Sequence, residues 1–220
     1  MPLTIQQAND LEASIQGYAF PAVYFDFLNN AQVDAGNMPA LEGVIRGMLI
    51  SPHGQQTEYG LANVIYWGNA NAGYQMYRVN HFRNGVTAAQ LGQFQQLVAN
   101  GNIPTLQDVR NIRLPQFSGI SFISKIVAFL DPVNYCVLDL LLSRLGGVQG
   151  NKALHRLVVR TQVGVTANNS QAYYQWCQEC QAISNQYYRG RYRVVDVERG
   201  FFRLIQNGKL NYAQQIYIAA

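Results

Sequence analysis

The sequence predicts a mostly α-helical fold with a few short strands, and three observations carry that prediction. Apolar residues recur at helical spacing along most of the chain. Capping residues stand at the heads of these stretches, at Thr4, Thr105 with Asp108 three residues on, and Asp139. Helix-ending pairs follow them, at Asn100-Gly101, Asp131-Pro132, Gly146-Gly147 and Asn207-Gly208.

In chain order, residues 4 to 17 read as a helix with Ile5, Ala8, Leu11 or Glu12, and Ile15 at helical spacing. Pro21 suits the first turn of a second helix through Leu28, and residues 29 to 37 read as a loop. Residues 38 to 50 are helical, with Leu41, Val44, Ile45, Met48 and Leu49 together, and Ser51-Pro52-His53-Gly54 breaks them. Residues 61 to 67 and 73 to 82 fit strand or helix, with a turn at Gly68-Asn69-Ala70-Asn71 between them. Residues 87 to 98 are a helix, and Thr105 opens another through Arg113. Ser121 suits an N-cap for a short helix with Phe122, Ile123, Ile126, Val127, Phe129 and Leu130 on a wide apolar face. Ser121, Ser124, Lys125 and Ala128 share the opposite stripe.

Beyond Asp139 the chain turns basic. In residues 151 to 163, Lys152, His155 or Arg156, and Arg160 would make a basic stripe on a helix. Residues 166 to 170 read as a polar loop, with Ser170 the cap of an aromatic helix to Tyr187. Asp196 caps a helix through Ile205, and residues 212 to 218 form an apolar tail for packing on the N-terminal helices. The weak point of the chain falls near residues 101 to 104. It separates an N-terminal lobe, 1–100, from a basic lobe, 101–220, within one domain.

Composition bounds the function. The 220 residues carry a net charge of +4. Residues 1 to 140 hold six Lys and Arg against nine Asp and Glu, whereas residues 141 to 220 hold ten against three. A one-sided basic surface suits a polyanion, although basic proteins without a nucleic-acid ligand are common. No apolar run is long enough to cross a bilayer. The first residues lack a basic start and apolar core, so a cytoplasmic protein with no membrane partner is expected. Cys136, Cys177 and Cys180 are the only cysteines. The Cys177-x-x-Cys180 pair lacks the second pair or histidines that zinc requires, so no metal site is expected and the three read as thiols.

Lys125 and Asp139 are the candidate chemistry. A lysine with a partly desolvated ammonium loses its proton more readily and can act as an amine nucleophile. A carboxylate fourteen positions on can hold it or stabilise a cationic intermediate. The plain alternative is a solvated lysine and a helix cap. Elsewhere, Arg78, His81 and Arg83 interleave with Tyr77 and Phe82, and residues 187 to 193 alternate arginine with aromatics. Both patterns suit contacts to phosphates and bases.

The run from Gly119 through Lys125 to Val137-Leu138-Asp139 resembles the lysine-to-aspartate segment of the helix-hairpin-helix DNA glycosylase superfamily. It is most similar to the 8-oxoguanine-glycosylase-like branch. Leu114-Pro115 resembles the Leu-Pro before that family's hairpin. The segment from Tyr192 through Asp196 to Phe202 is similar to the closing helix of divergent prokaryotic members. Where the family has hairpin glycines, this chain has Ser121, Phe122 and Ser124. The resemblance implies a helix-hairpin-helix bundle and a DNA glycosylase, with or without lyase activity. In that reading Lys125 attacks the deoxyribose C1′ of a base flipped from duplex DNA and Asp139 supports the attack. Phosphates fall to Arg110, Arg113, Ser121, Ser124, Arg144, Lys152, Arg156, Arg189, Arg191 and Arg193, and the base pocket to Trp67, Tyr77 and Phe82. No cofactor is implied, and an iron–sulfur cluster, which needs four cysteines, is excluded. Two other readings share the fold. One is a non-catalytic nucleic-acid-binding module, and the other is a subunit of a prokaryotic antiviral defence assembly with protein partners.

Overall fold

The protein, seen here as a computed structural model, is described over residues 2–147 and 150–220. Among these residues it is mostly α-helical, with eleven α-helices and one two-stranded sheet. The backbone divides into two compact units. One is continuous, Phe20–Asp131. The other joins the chain through Ala19 to the chain from Pro132 onward. The divisions fall at these points and not near residues 101 to 104.

In the continuous unit, β1 (Val23–Asp26) pairs antiparallel with β2 (Ala31–Asp34), Val23 opposite Asp34 and Asp26 opposite Ala31. This hairpin replaces the helix and loop expected over residues 21 to 37. Its cause is local. The Asp26 carboxylate accepts the N–H groups of Leu28 and Asn29, and Asn30 takes a left-handed φ of 51°, which closes a turn. The hairpin is then fixed from outside by fully buried Asn63, which accepts from the Phe25 N–H and donates to the Phe25 carbonyl.

Asn63 lies on α3 (Gly54–Gly68), which is buried from Tyr59 through Trp67 and is the centre of the unit. The expected ambiguity over residues 61 to 82 resolves to helix, in α3 and α4 (Gln75–Gly85). Against α3 pack α2 (Met38–Leu49), α4, α5 (Ala88–Val98) and α7 (Ile120–Leu130). Helix α6 (Leu106–Ile112) joins α5 and α7. Capping boxes at Thr87 and Thr105 start α5 and α6, and Asp131 ends α7 ahead of Pro132.

The discontinuous unit is built on a helix pair far apart in sequence. Helix α1 (Ile5–Gln16), started by a Thr4 capping box, packs on α10 (Val194–Gln206). Gly200 permits the approach: a Cβ there would stand 2.6 Å from Ile15 Cγ1 and 3.0 Å from Leu11 Cδ1. Beside it, Trp176 of α9 (Ala167–Tyr188), Phe201, and Tyr217 of α11 (Leu210–Ala219) form a fully buried cluster of edge-on rings. Short α8 (Leu140–Ser143) lies against α10. The C-terminal segment is thus a helix, tied to α1 by the Tyr212 hydroxyl donating to Asp10.

Several starts differ from expectation. Thr166, not Ser170, caps α9, so residues 167 to 170 are its first turn. Helix α10 begins at Val194, and Asp196 sits in its first turn, accepting from the Arg193 N–H. Residues 151 to 163 hold only a 3-10 turn, Ala153–Arg156, and a Val159–Val163 bridge, so no basic helical stripe forms. Asn169 accounts for this. Buried in the first turns of α9, it donates to the carbonyls of Val158 and Gly164 and accepts from the Val158 N–H, holding the segment extended.

Gly200→Ala is expected to destabilise the protein by about 1–3 kcal/mol, because the added methyl overpacks the α1–α10 contact. Thermal melting should show a drop of several degrees for a chain of this size.

Candidate functional site

The hairpin that precedes Lys125 belongs to the continuous unit. Helix α6 stops at Arg113, which takes a left-handed φ of 60°. A second left-handed residue, Gln116 at φ 69°, turns the chain again before Gly119 caps α7. Side chains hold both turns. Gln90 donates to the carbonyls of Ile112 and Arg113, at 3.2 and 2.9 Å. Arg78 Nε donates to Gln116 Oε1 at 2.8 Å, and Gln116 Nε2 lies 3.1 Å from His81 Nδ1. Beneath them Phe117 is fully buried, edge-on to Phe82 and Phe122.

Ser121 is therefore not the N-cap of α7; it is the second residue of the helix, half-buried. It serves Lys125 instead. Lys125 folds back one turn, as long side chains on helices do. Its Nζ donates to the Ser121 carbonyl at 3.0 Å and the Ser121 hydroxyl at 3.3 Å. Lys125 is only 6% exposed and Ser124 and Ala128 are buried too, so the stripe expected opposite the apolar face lies inside. Ser124 is fully buried, its hydroxyl donating to the Ser121 carbonyl, and has no surface to offer a phosphate.

Gly68 and Phe122 shape the place where Lys125 lies. A Cβ on Gly68 would stand 3.1 and 3.2 Å from Lys125 Cδ and Cε, and 2.8 Å from the Phe122 ring. The Phe122 ring has Lys125 Nζ 5.0 Å from its centre and the Arg78 guanidinium 4.9 Å from it. Arg78 also donates to Asn69, the residue after Gly68. Gly68, Asn69 and Gln116 were not singled out as site residues. A glycine or asparagine in a turn looks alike in sequence whether it ends a helix or makes room for a side chain.

Asp139 belongs to the discontinuous unit, where it caps α8 as expected. Its carboxylate accepts the N–H groups of Leu141 and Leu142, both at 2.9 Å. The segment leading to it is fixed to α9. The Tyr173 hydroxyl donates to the Cys136 carbonyl at 2.9 Å, and the Trp176 indole donates to the Val137 carbonyl at 3.4 Å. Cys136 Sγ lies 3.7 Å from Cys177 Sγ, and all three cysteines are buried free thiols. Burial pushes them up, Cys180 to about 11, so they are core groups and poor nucleophiles.

The basic candidates divide by surroundings. Arg113, Arg144, Arg156 and Arg189 are exposed, while Arg110 and Lys152 are half-buried, the Lys152 amine 5.6 Å from the centre of the Tyr217 ring. Arg156 donates to Gln175, and Arg189 is the left-handed C-cap of α9. Arg191 pairs with Glu12, and Arg193 pairs with Asp196 at 2.7 Å, so two of the three cations of the arginine–aromatic alternation are neutralised at home. The pocket candidates are scattered in character. Phe82 is fully buried core. Trp67 is buried edge-on to Phe20 and Phe129, its indole N–H without an acceptor. Tyr77 is 74% exposed on α4. A separate open cleft of about 350 Å3 lies between α5 and α6, lined by Gln93, Gln96, Asp108 and Asn111 among others.

Among the described residues no group of His, Cys, Asp and Glu is arranged to hold a metal ion, and no helix is long and apolar enough to cross a membrane. Compared with known proteins, the chain matches no family model, no curated protein and no solved structure.

Two predictions follow from the Asp139 and Asp196 contacts. Asp139→Ala loses the α8 cap and should cost about 1 kcal/mol in urea unfolding, whereas Asp139→Asn keeps an acceptor oxygen and should cost less. Burial raises Asp196, but hydrogen bonds and charge from Arg193, with Arg199 behind, outweigh it and hold the carboxyl below its ordinary 3.8. A lowered carboxylate stabilises the fold above its unfolded value and loses that contribution as pH falls through its folded value. Wild type should therefore exceed Asp196→Asn in stability at neutral pH, and the gap should close as pH drops below 3.8.

Proposed function

We propose that this protein is a DNA glycosylase of the helix-hairpin-helix kind, excising a modified or damaged base by attack at C1′. The observation that supports this reading best is the Lys125 amine. It is buried, carried on the helix that follows the hairpin, and turned back toward that helix's N-terminus. Once it has given up its proton, an amine held there is a nucleophile.

In this reading the target base leaves the stack, since its glycosidic carbon is out of reach inside a duplex. The Lys125 amine forms a bond to C1′ as the base departs. The Asp139 carboxylate stabilises the positive charge that develops on the sugar. The C1′–O4′ bond of that adduct then breaks, the nitrogen lone pair forming a protonated Schiff base while O4′ takes a proton, and this opens the route to strand cleavage. If Lys125 serves only structure, water directed by Asp139 hydrolyses the bond and the strand stays intact. Arg110 and Arg113 at the hairpin and the exposed Arg144, Arg156 and Arg189 contact phosphates. The charge distribution favours one other reading, a binding module without chemistry. The discontinuous unit holds ten Lys and Arg against six Asp and Glu, while the continuous unit holds six of each.

Borohydride trapping on duplex DNA carrying a panel of modified bases separates these readings. Wild type should give a covalent adduct with one of them, and Lys125→Gln should give none. Asp139→Asn should slow base release by about a hundred-fold, the scale of losing one preorganised charge interaction. DNA binding by wild type with neither adduct nor free base would leave the binding module.

A further inference from the structure

Helix α4 carries a feature that the chemistry at Lys125 does not use. Tyr74 at its head, Tyr77 and His81 stand at i, i+3 and i+7, the spacing of one helix face. All three are exposed, Tyr74 at 52% and Tyr77 at 74%. An aromatic side chain removes a large apolar area from water when covered, and here two stand uncovered side by side. The rest of α4 is engaged inward. Val79 and Phe82 are fully buried, Arg83 pairs with Glu58 at 2.6 Å, and Arg78 is turned onto Phe122 and Gln116.

We propose that this outer face of α4 is a stacking surface for single-stranded nucleic acid, with Tyr74 and Tyr77 as the platforms and His81 at its end. The face is held in place, because Gln116 of the hairpin turn reaches His81 on one side and Arg78 on the other. Its electrostatics suit a polyanion. No carboxylate occurs in residues 59 to 107, and although Arg78 and Arg83 are engaged on the inner side, His81 stands on this face. Exposed Arg113 lies three residues before Gln116, whose side chain reaches His81. Strand state follows from geometry. A base inside a duplex has a neighbour on each face, so only an unpaired base can lie flat on a tyrosine ring. Ring-bearing positions one turn apart are about 5–6 Å apart at Cβ, wider than stacked bases, which favours splayed bases, each on its own ring.

The inference stands independently of catalysis and is tested by fluorescence anisotropy with short labelled oligonucleotides of one sequence, as single-stranded DNA, single-stranded RNA and duplex DNA. Wild type should bind a single strand more tightly than the duplex. Tyr77→Ala should weaken that binding by about ten-fold, the scale of one stacked base, and Tyr77→Phe should restore it. The DNA and RNA arms identify which strand the surface takes. Because Tyr77 is exposed, its alanine variant should keep the wild-type melting temperature. Unchanged single-strand affinity in a Tyr74→Ala, Tyr77→Ala double variant overturns the proposal, as does a Tyr77→Phe variant as weak as Tyr77→Ala, or wild type that binds no single strand. A borohydride adduct with unaltered binding by the double variant would leave the glycosylase reading and remove this one. Tyr77-dependent binding with neither adduct nor base release would do the reverse.

Discussion

The contact of α1 with α10 governs the architecture of this chain. It rests on Gly200, whose missing side chain leaves room for Leu11 and Ile15. Through it the first residues of the chain are built into the same unit as the last ninety or so. The intervening residues then form a unit of their own, complete without either end. Folding order follows from connectivity. The continuous unit can close while the chain is still being made, whereas the discontinuous unit must wait for α10, and its long-range contact makes it the slower of the two.

The two candidate catalytic residues are supported by different means. Lys125 is held by its own helix, with Ser121 one turn back and Phe122 beside it, and by Gly68 on α3, far earlier in the chain. Asp139 is held by a helix cap and by an extended segment pinned to α9 through Tyr173 and Trp176. The former depends on packing around α7, so volume changes there act on it directly. The latter depends on hydrogen bonds to backbone, which tolerate changes of side chain along residues 136 to 138 as long as the core still packs.

Local signals were legible where one residue decides the outcome. Thr4 and Thr105 start helices because a hydroxyl at that position satisfies a free N–H, and Asp139 does the same with its carboxylate. Asp131-Pro132 ends α7 for a steric reason that needs no neighbours. Other elements were illegible because distant partners decide them. The β-hairpin is stabilised by Asn63, almost forty residues later, and residues 158 to 164 by Asn169. Lys125 shows the limit most clearly. Helical spacing puts it opposite the apolar face, which implies water, yet α7 is buried on nearly every side. Spacing ranks the faces of a helix but does not say how many of them are covered. Phe82 and Tyr77, both expected in a base pocket, part for the same reason, one closing the core and the other left in solvent.

The buried thiols have a further consequence. Cys136, Cys177 and Cys180 all belong to the discontinuous unit, and the continuous unit has no cysteine. Each unit also holds one tryptophan, Trp67 in the continuous unit and Trp176 in the other. A thiol reagent reaches its targets only when the discontinuous unit opens, so the kinetics of labelling measure that opening alone. Replacing either tryptophan with phenylalanine leaves the fluorescence of a single unit. The chain therefore carries native reporters that can follow its two halves separately, with no label added.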